Sequence, residues 1–367
     1  MNRDARTLFN ALWKGILLFL VINLLFALVP TYTFSRISLY NSLIPGRERL
    51  PFGENIQRSY NLSLYDLDAM FASLNLKRNK PADEFRVLVI GDSSVWGTLL
   101  RPDETLSGQL NARHLTACDG RTVVAYNLGY PTMSLTKDLL LLDRVPAYQP
   151  DLILWTLTLQ SLPRSTQLNS PIVANNQAAV RGLIERLQLD LDASALPEPT
   201  FWQRTLIGQR RALADYFRLQ LLALPWAATG IDQDYPREYT PAARDLAAEA
   251  DFDGRTGPDL PPESLVWDAL QAGMTQAGGT PVLLVNEPIL ISQGNNSDVR
   301  YNFFYPRWAY DSYRAQLASL AAQNQWRYLD LWNAIPEAHF TNSAVHLDPS
   351  GVALLAQKID AEIGCKK

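Results

Sequence analysis

Val87-Leu88-Val89-Ile90-Gly91-Asp92-Ser93-Ser94-Val95-Trp96-Gly97 is an apolar run that stops at a glycine and delivers a serine. A run this short and aliphatic, bounded by Glu84 and Arg86 before it and Gly91 after it, predicts a strand buried on both faces. Ser93 then falls just past the strand's carboxyl end. In an open parallel sheet that edge collects ligands, because loops and helix N-termini converge there and backbone N–H groups point into the crevice. Gly-Asp-Ser after a strand is also ordinary turn chemistry, with glycine for unusual dihedrals and Asp and Ser for local hydrogen bonds. The blocks that follow decide between the two.

Downstream, Asp103 and Glu104 supply first-turn acids to a helix with Leu106, Leu110 and Ala117 on one face, which His114 flanks. Thr122 to Tyr130 predicts a second buried strand ending at Gly129. Leu139 to Leu142 lie on a helix, and Leu152 to Leu157 form a third strand that runs into Thr158-Leu159-Gln160-Ser161. Pro281 to Pro288 and Tyr328 to Leu331 give a fourth and a fifth strand, with a helical face of Tyr313, Leu317, Leu320 and Ala321 between them. Helices alternating with buried strands imply right-handed crossovers and an α/β fold of three α/β/α layers around a mainly parallel five-stranded sheet. The last segment, Phe340-Thr341-Asn342-Ser343-Ala344-Val345-His346-Leu347-Asp348-Pro349-Ser350-Gly351, leads into a helix with Val352, Leu355, Ala356, Ile359 and Ile363 on one face.

Three of these blocks, in this order, resemble the SGNH, or GDSL-type, hydrolase family: Gly91-Asp92-Ser93 with Gly97 four residues after the serine, the strand ending at Gly129, and His346 followed by Gly351 and a C-terminal helix. The resemblance covers roughly residues 84–161 and 281–364 and implies a flavodoxin-like sheet carrying acyl-ester chemistry. Ser93 is then the nucleophile and His346 its base, with Ser93 N–H, Gly129 N–H and the Gln160 amide holding the oxyanion. Gln160 stands where the family has an asparagine in Gly-x-Asn-Asp. The family's aspartate three residues before the histidine is Ser343 here, which leaves Ser343, Asp348 and Asp330 as candidate orienters of His346. Asp348-Pro349 also reads as an N-cap and first-turn proline. His339 lies outside the pattern. The chemistry requires no cofactor and no metal.

The rest of the chain sets the context. Its 367 residues, 47% hydrophobic and 19% charged, can bury a full core, and a net charge of −4 without a long basic run argues against nucleic acid as a partner. Leu8 to Val29 has Lys14 near its start and Asn23 as the only polar residue after Ile16. It covers about 33 Å at 1.5 Å per residue, enough for a hydrocarbon core of about 30 Å. It reads as one transmembrane helix, an anchor over residues 1–30, with a cleaved signal peptide as the rival. Arg3, Arg6 and Lys14 precede or enter the span while Arg36, Arg47 and Arg49 follow it, and the orientation expected is an inside N-terminus with an extracytoplasmic bulk. Residues 31–82 read as a juxtamembrane arm in which Ile56 to Leu76 holds a helix. Residues 83–367 read as the hydrolase-like domain, carrying an insertion at about 162–279.

Within that insertion, Val180 to Leu191 and Phe201 to Leu224 are helical by periodicity and Thr229 to Pro262 is irregular. Asp251-Phe252-Asp253-Gly254 hints at a calcium loop but lacks the remaining ligands. The only two cysteines, Cys118 and Cys365, both at element ends, suit a disulfide in an exported domain. Membrane-tethered relatives in the resembled family act on acylated envelope polysaccharides, so the expected substrate is an acylated glycan, O-acetyl esters foremost. A lipid or small ester is the enzymatic alternative, and an inactive glycan-binding protein the non-enzymatic one.

Overall fold

The computed structural model of the chain describes residues 3–29, 46–52, 67–196, 198–229 and 238–364. Five strands, β1 (Glu84–Ile90), β2 (Thr122–Asn127), β3 (Leu152–Leu157), β4 (Val282–Asn286) and β5 (Arg327–Asp330), make one sheet in the order β2-β1-β3-β4-β5. Every adjacent pair is parallel. In this order the chain reverses direction across the sheet between β1 and β3, the switch point at which open α/β sheets form their crevice.

Among the described residues the α-helices are α1 (Arg3–Phe26), α2 (Leu67–Ala72), α3 (Ser93–Trp96), α4 (Leu106–Ala112), α5 (Leu135–Leu142), α6 (Pro171–Asn175), α7 (Gln177–Leu187), α8 (Phe201–Arg204), α9 (Arg210–Thr229), α10 (Trp267–Gln276), α11 (Arg307–Gln323) and α12 (Pro349–Ile363). Alternate side chains of each strand feed two separate cores, as the two-residue period requires. Val87 and Val89 of β1, with Leu152 and Leu154 of β3, pack with Leu106 and Leu110 of α4 and the Val352, Leu355 and Ile359 face of α12. Leu88, Ile90, Ile153 and Trp155 pack on the opposite side with α5, α7, α10 and α11. β3 is buried along its entire length, which explains why its sequence is apolar without alternation.

Departures from the sequence reading have local causes. The helix expected from Phe201 to Leu224 is broken at Thr205, which turns extended (φ −66°, ψ 163°) and caps the next segment by accepting from Gly208 N. Thr105-Leu106-Ser107-Gly108 uses the same device, Thr105 accepting from Gly108 N at the start of α4. The helix after Ser93 ends at Ala112, because His114 takes a left-handed φ of 49°. Of the helix expected over Ile56 to Leu76, α2 is the part inside the described residues. The Asp251-Phe252-Asp253-Gly254 stretch forms a two-residue hairpin in which Asp253 accepts from Ser165 and pairs with Arg255.

The segment after α9 is less detached than its polar composition suggests. Ala242, Leu246, Phe252 and Leu260 are buried, and Arg300 donates to the carbonyls of Glu249 and Asp251. Nor is the chain before Pro81 a bare arm. Arg49 is buried and donates to the carbonyls of Trp96, Gly97 and Leu100, while Trp96 Nε1 donates back to the Leu50 carbonyl at 2.8 Å. Residues 46–52 thus brace the helix that begins with Ser93. Cys118 is disulfide-bonded; Cys365, the only other cysteine in the sequence, lies outside the described residues.

Candidate active site

β1 runs out at Ile90, and the chain turns at once into the four-residue helix α3, with Ser93 as its first residue. The turn is tight enough to need glycine: a Cβ on Gly91 would lie 2.2 Å from Thr156 Oγ1 of β3 and 2.6 Å from Val95 Cγ2. Asp92 caps α3 by accepting from Ser94 N at 2.7 Å. Ser93 N–H therefore heads a first turn whose backbone donors have no acceptor inside the helix. The buried Lys137 of α5 donates to the Gly91 carbonyl at 2.7 Å and pairs with Asp138, which itself accepts from Trp155 Nε1.

Ser93 meets a histidine from the far end of the chain. His346 Nε2 lies 2.7 Å from Ser93 Oγ, and His346 Nδ1 lies 2.8 Å from Asn342 Oδ1. An amide oxygen accepts and cannot donate, so Nδ1 carries the ring proton and Nε2 is left to take the proton of Ser93. The loop that presents both residues is closed on itself: Phe340 bridges Leu347, and Thr341 N and Oγ1 both donate to the His346 carbonyl. Burial pulls the imidazole down to about 4, against the opposing charge of Asp92. At neutral pH the ring is uncharged and competent as a base.

The three residues expected to orient His346 are not on its Nδ1. Asp348 caps α12 by accepting from Gly351 N at 2.7 Å, and it pairs with His339 Nδ1 at 3.2 Å. Asp330 takes Arg314 at 2.6 Å and the Asn286 amide at 2.8 Å. Ser343, three residues before His346, is passed over because the tight loop brings the residue four before, Asn342, under the ring. Asn342 was legible only as a neighbour of the motif; the turn that selects it has no sequence signature of its own.

The oxyanion candidates divide. Ser93 N–H stands at the head of α3. Gly129 N–H donates to Asn127 Oδ1 at 2.9 Å, and the amide nitrogen of Asn127 donates to the Val95 carbonyl. The reason for glycine there is steric: a Cβ on Gly129 would lie 2.3 Å from Trp96 N. Gln160 follows β3, its backbone N–H facing the Tyr305 hydroxyl at 3.4 Å, and it borders an open groove of about 260 Å³ shared with Asp251, Arg300, Phe303 and Phe304.

Sequence reasoning also missed Glu287, which follows β4 and is buried directly behind α3. Its Oε2 accepts from Ser94 Oγ at 2.5 Å. Burial first, and the charge of Asp92 second, push the Glu287 carboxyl well above the ordinary carboxylate range. The shift favours the uncharged form of Glu287, which eases the placing of two neighbouring carboxyls in the interior. The only signal in the sequence was a charged residue at the end of a strand that otherwise reads as buried, Val285-Asn286-Glu287-Pro288.

No family model and no curated protein matches the sequence. Among solved structures, the chain is similar to a carbohydrate acetylesterase family member from Sinorhizobium meliloti at 14% identity and a TM-score of 0.33, over 75% of this chain and 95% of that one. It is similar to a member of the lipolytic protein G-D-S-L family from Veillonella parvula DSM 2008 at 10% identity and a TM-score of 0.35, over 75% and 95%. The aryl esterase of M. smegmatis matches at 13% identity and a TM-score of 0.34, over 76% and 97%. At such identities and scores, none of these proteins' activities transfers to this chain.

Proposed function

We propose that this protein is a membrane-anchored serine esterase or acyltransferase of the SGNH type, acting on ester-linked acyl groups, O-acetyl foremost, of an envelope glycan. The observation that carries the reading is the line of contacts from Ser93 Oγ to His346 Nε2 and from His346 Nδ1 to Asn342 Oδ1. A serine at the switch point, aligned on a neutral imidazole whose other nitrogen is held by an acceptor, is the arrangement acyl transfer needs.

In this reading Ser93 Oγ attacks the ester carbonyl as its proton passes to His346 Nε2. The oxyanion is met by Ser93 N–H and by the Gln160 amide swung in from the groove edge. Collapse of the tetrahedral intermediate expels the alcohol, which takes the proton back from the imidazolium. Water, or the hydroxyl of a second acceptor, then attacks the acyl-serine, giving its proton to His346 and restoring Ser93. Asn342 fixes the tautomer and the ring plane, the role asparagine fills in Cys-His-Asn proteases, without a carboxylate's charge.

Support for a sugar substrate comes from the groove beside Gln160, whose phenylalanines and charged rim offer an apolar body and hydrogen-bonding edges together. α1 is apolar and long enough to cross a membrane. An inside N-terminus and a site outside complete the proposal, with Arg3, Arg6 and Lys14 on one flank of the span and Arg36, Arg47 and Arg49 on the other.

Acetate release from an O-acetylated polysaccharide by the detergent-solubilised full chain tests the proposal. Release that Ser93→Ala abolishes is expected. Turnover confined to phospholipid or short aryl esters would replace the glycan with a lipid or small ester, and polysaccharide binding without turnover of any ester would make the domain a binding protein.

A further inference from the structure

α8 and α9 carry a set of apolar side chains that nothing among the described residues covers. Trp202 is 70% exposed, Phe217 62%, Leu221 79% and Leu224 55%, with Ile207 at 49% between the two helices. Phe217, Leu221 and Leu224 stand at i, i+4 and i+7, so they form one stripe along α9. Arg211 and Arg218, both exposed, fall together on one flank of that stripe, while Tyr216 and Leu219 on the other side of the helix are buried. An apolar stripe with a basic border is the pattern of a helix lying in a lipid interface, where the stripe enters the acyl boundary and the guanidinium groups reach anionic headgroups.

A second observation ties this surface to the membrane. α1 is exposed along nearly its whole length, but Asn23 and Ala27 near its C-terminal end are buried. Asn23 Oδ1 accepts from the backbone N–H of Ile207, in the turn that joins α8 to α9, at 2.9 Å. The one polar side chain of the apolar core of α1 is thus satisfied by the very segment that bears the exposed stripe, as a polar group at membrane depth requires. Asn23 lies six residues before Val29, about 9 Å by helical rise. Interfacial helices seat their apolar faces about 5–10 Å into the headgroup and acyl boundary.

We propose that α8 and α9 form an interfacial platform that lies on the outer leaflet beside α1, with Trp202, Ile207, Phe217, Leu221 and Leu224 in the lipid and Arg211 and Arg218 at the headgroups. The proposal rests on reading α1 as a retained membrane span. It fixes the domain against the bilayer at two points rather than letting it swing from a single tether, so the groove beside Gln160 is held at a set height above the surface.

The test uses the full chain in vesicles of phosphatidylcholine with phosphatidylglycerol, carrying a nitroxide at one introduced cysteine: Leu221→Cys, Phe217→Cys, Leu18→Cys in α1, or Lys358→Cys on the exposed side of α12. Collision with oxygen, which concentrates in lipid, is compared with collision with a water-soluble nickel chelate. The expected result is an oxygen-to-nickel ratio several-fold higher at 221 and 217 than at 358, and highest at 18. A water-like ratio at 221 and 217 with a lipid-like ratio at 18 would overturn the platform and leave the anchor standing. Labels at 221 and 217 shielded from both reagents would mean that a protein, a second copy included, covers the stripe, which also overturns it. A water-like ratio at 18 would remove the anchor and the platform together.

Discussion

At the scale of single residues, the contact that matters most is Asn342 beneath His346. An amide oxygen orients the ring but does not stabilise the imidazolium as a carboxylate does, so the proposed reaction is expected to be slow. Asn342→Asp should raise kcat on a simple acetyl ester by at least about tenfold, a small part of the roughly 10⁴ that separates Asp from Asn at the corresponding position of serine proteases. Asn342→Ala should lower kcat by about 10², because His346 then loses the acceptor that holds its tautomer and ring plane. Ser343→Asp should leave the rate within about twofold, because position 343 is not on Nδ1. Steady-state kinetics on the folded variants checks all three. The lowered pKa of His346 gives a pH prediction with a definite sign. The base is neutral down to about pH 4, so kcat/KM should hold as pH falls through 6 and 5 and decline only as it approaches 4. The unfolded chain takes up this proton at the ordinary histidine pKa of about 6.5. Folding stability from this group is therefore complete above 6.5 and is lost as pH falls from there to about 4. A urea midpoint series should show that share of the acid destabilisation disappear in His346→Ala.

Among the elements, the central strands were legible because burial on both faces leaves an unbroken aliphatic run, and β3 is found at the residues its sequence predicts, Leu152–Leu157; β2, expected to be buried, is half-exposed at the sheet edge, and β5 at the other edge is more exposed still. The turn that carries Ser93 was legible for a related reason: a turn this tight after such a strand needs glycine at 91, and Asp92 caps the helix that follows. The loop before α12 was only half legible. Its histidine and the Asp348-Pro349 cap announce themselves, but which side chain reaches Nδ1 depends on how Phe340 and Leu347 close the loop, a tertiary outcome without local code. The bracing of α3 by Arg49 and Leu50 was illegible, since one arginine in a mixed polar segment says nothing of the three carbonyls it will find. At this scale the C-terminal helix also carries a prediction. Cys118 is disulfide-bonded and a Cβ on Gly364 would lie 3.8 Å from the Thr116 carbonyl, so Cys365 is expected as the partner that ties the end of α12 to the turn before β2. Closing so long a loop is worth about 5 kcal/mol in the chain-entropy model. Non-reducing peptide mapping of protein isolated from membranes should recover the linked pair; free thiols at both positions would contradict it.

Across the whole molecule, the proposed chemistry depends on bringing together the two ends of the domain, Ser93 after its first strand and His346 from its last loop, 253 residues apart. The intervening segment helps to hold them. Ala242 N donates to the Thr341 carbonyl beside Asn342, and Arg244 donates to the carbonyls of Glu337 and Phe340. A piece that reads in sequence as polar decoration therefore braces the histidine loop, and its apolar residues are too widely spaced along the chain to reveal this as a periodic pattern. Labelling of the full chain by a fluorophosphonate, with the adduct located by mass spectrometry, asks whether this assembly activates Ser93. A single adduct on Ser93 is expected, slowed by roughly 10² or more in His346→Ala, the range of one general base. Labelling that ignores His346, or no adduct at Ser93 in a folded protein, would contradict it.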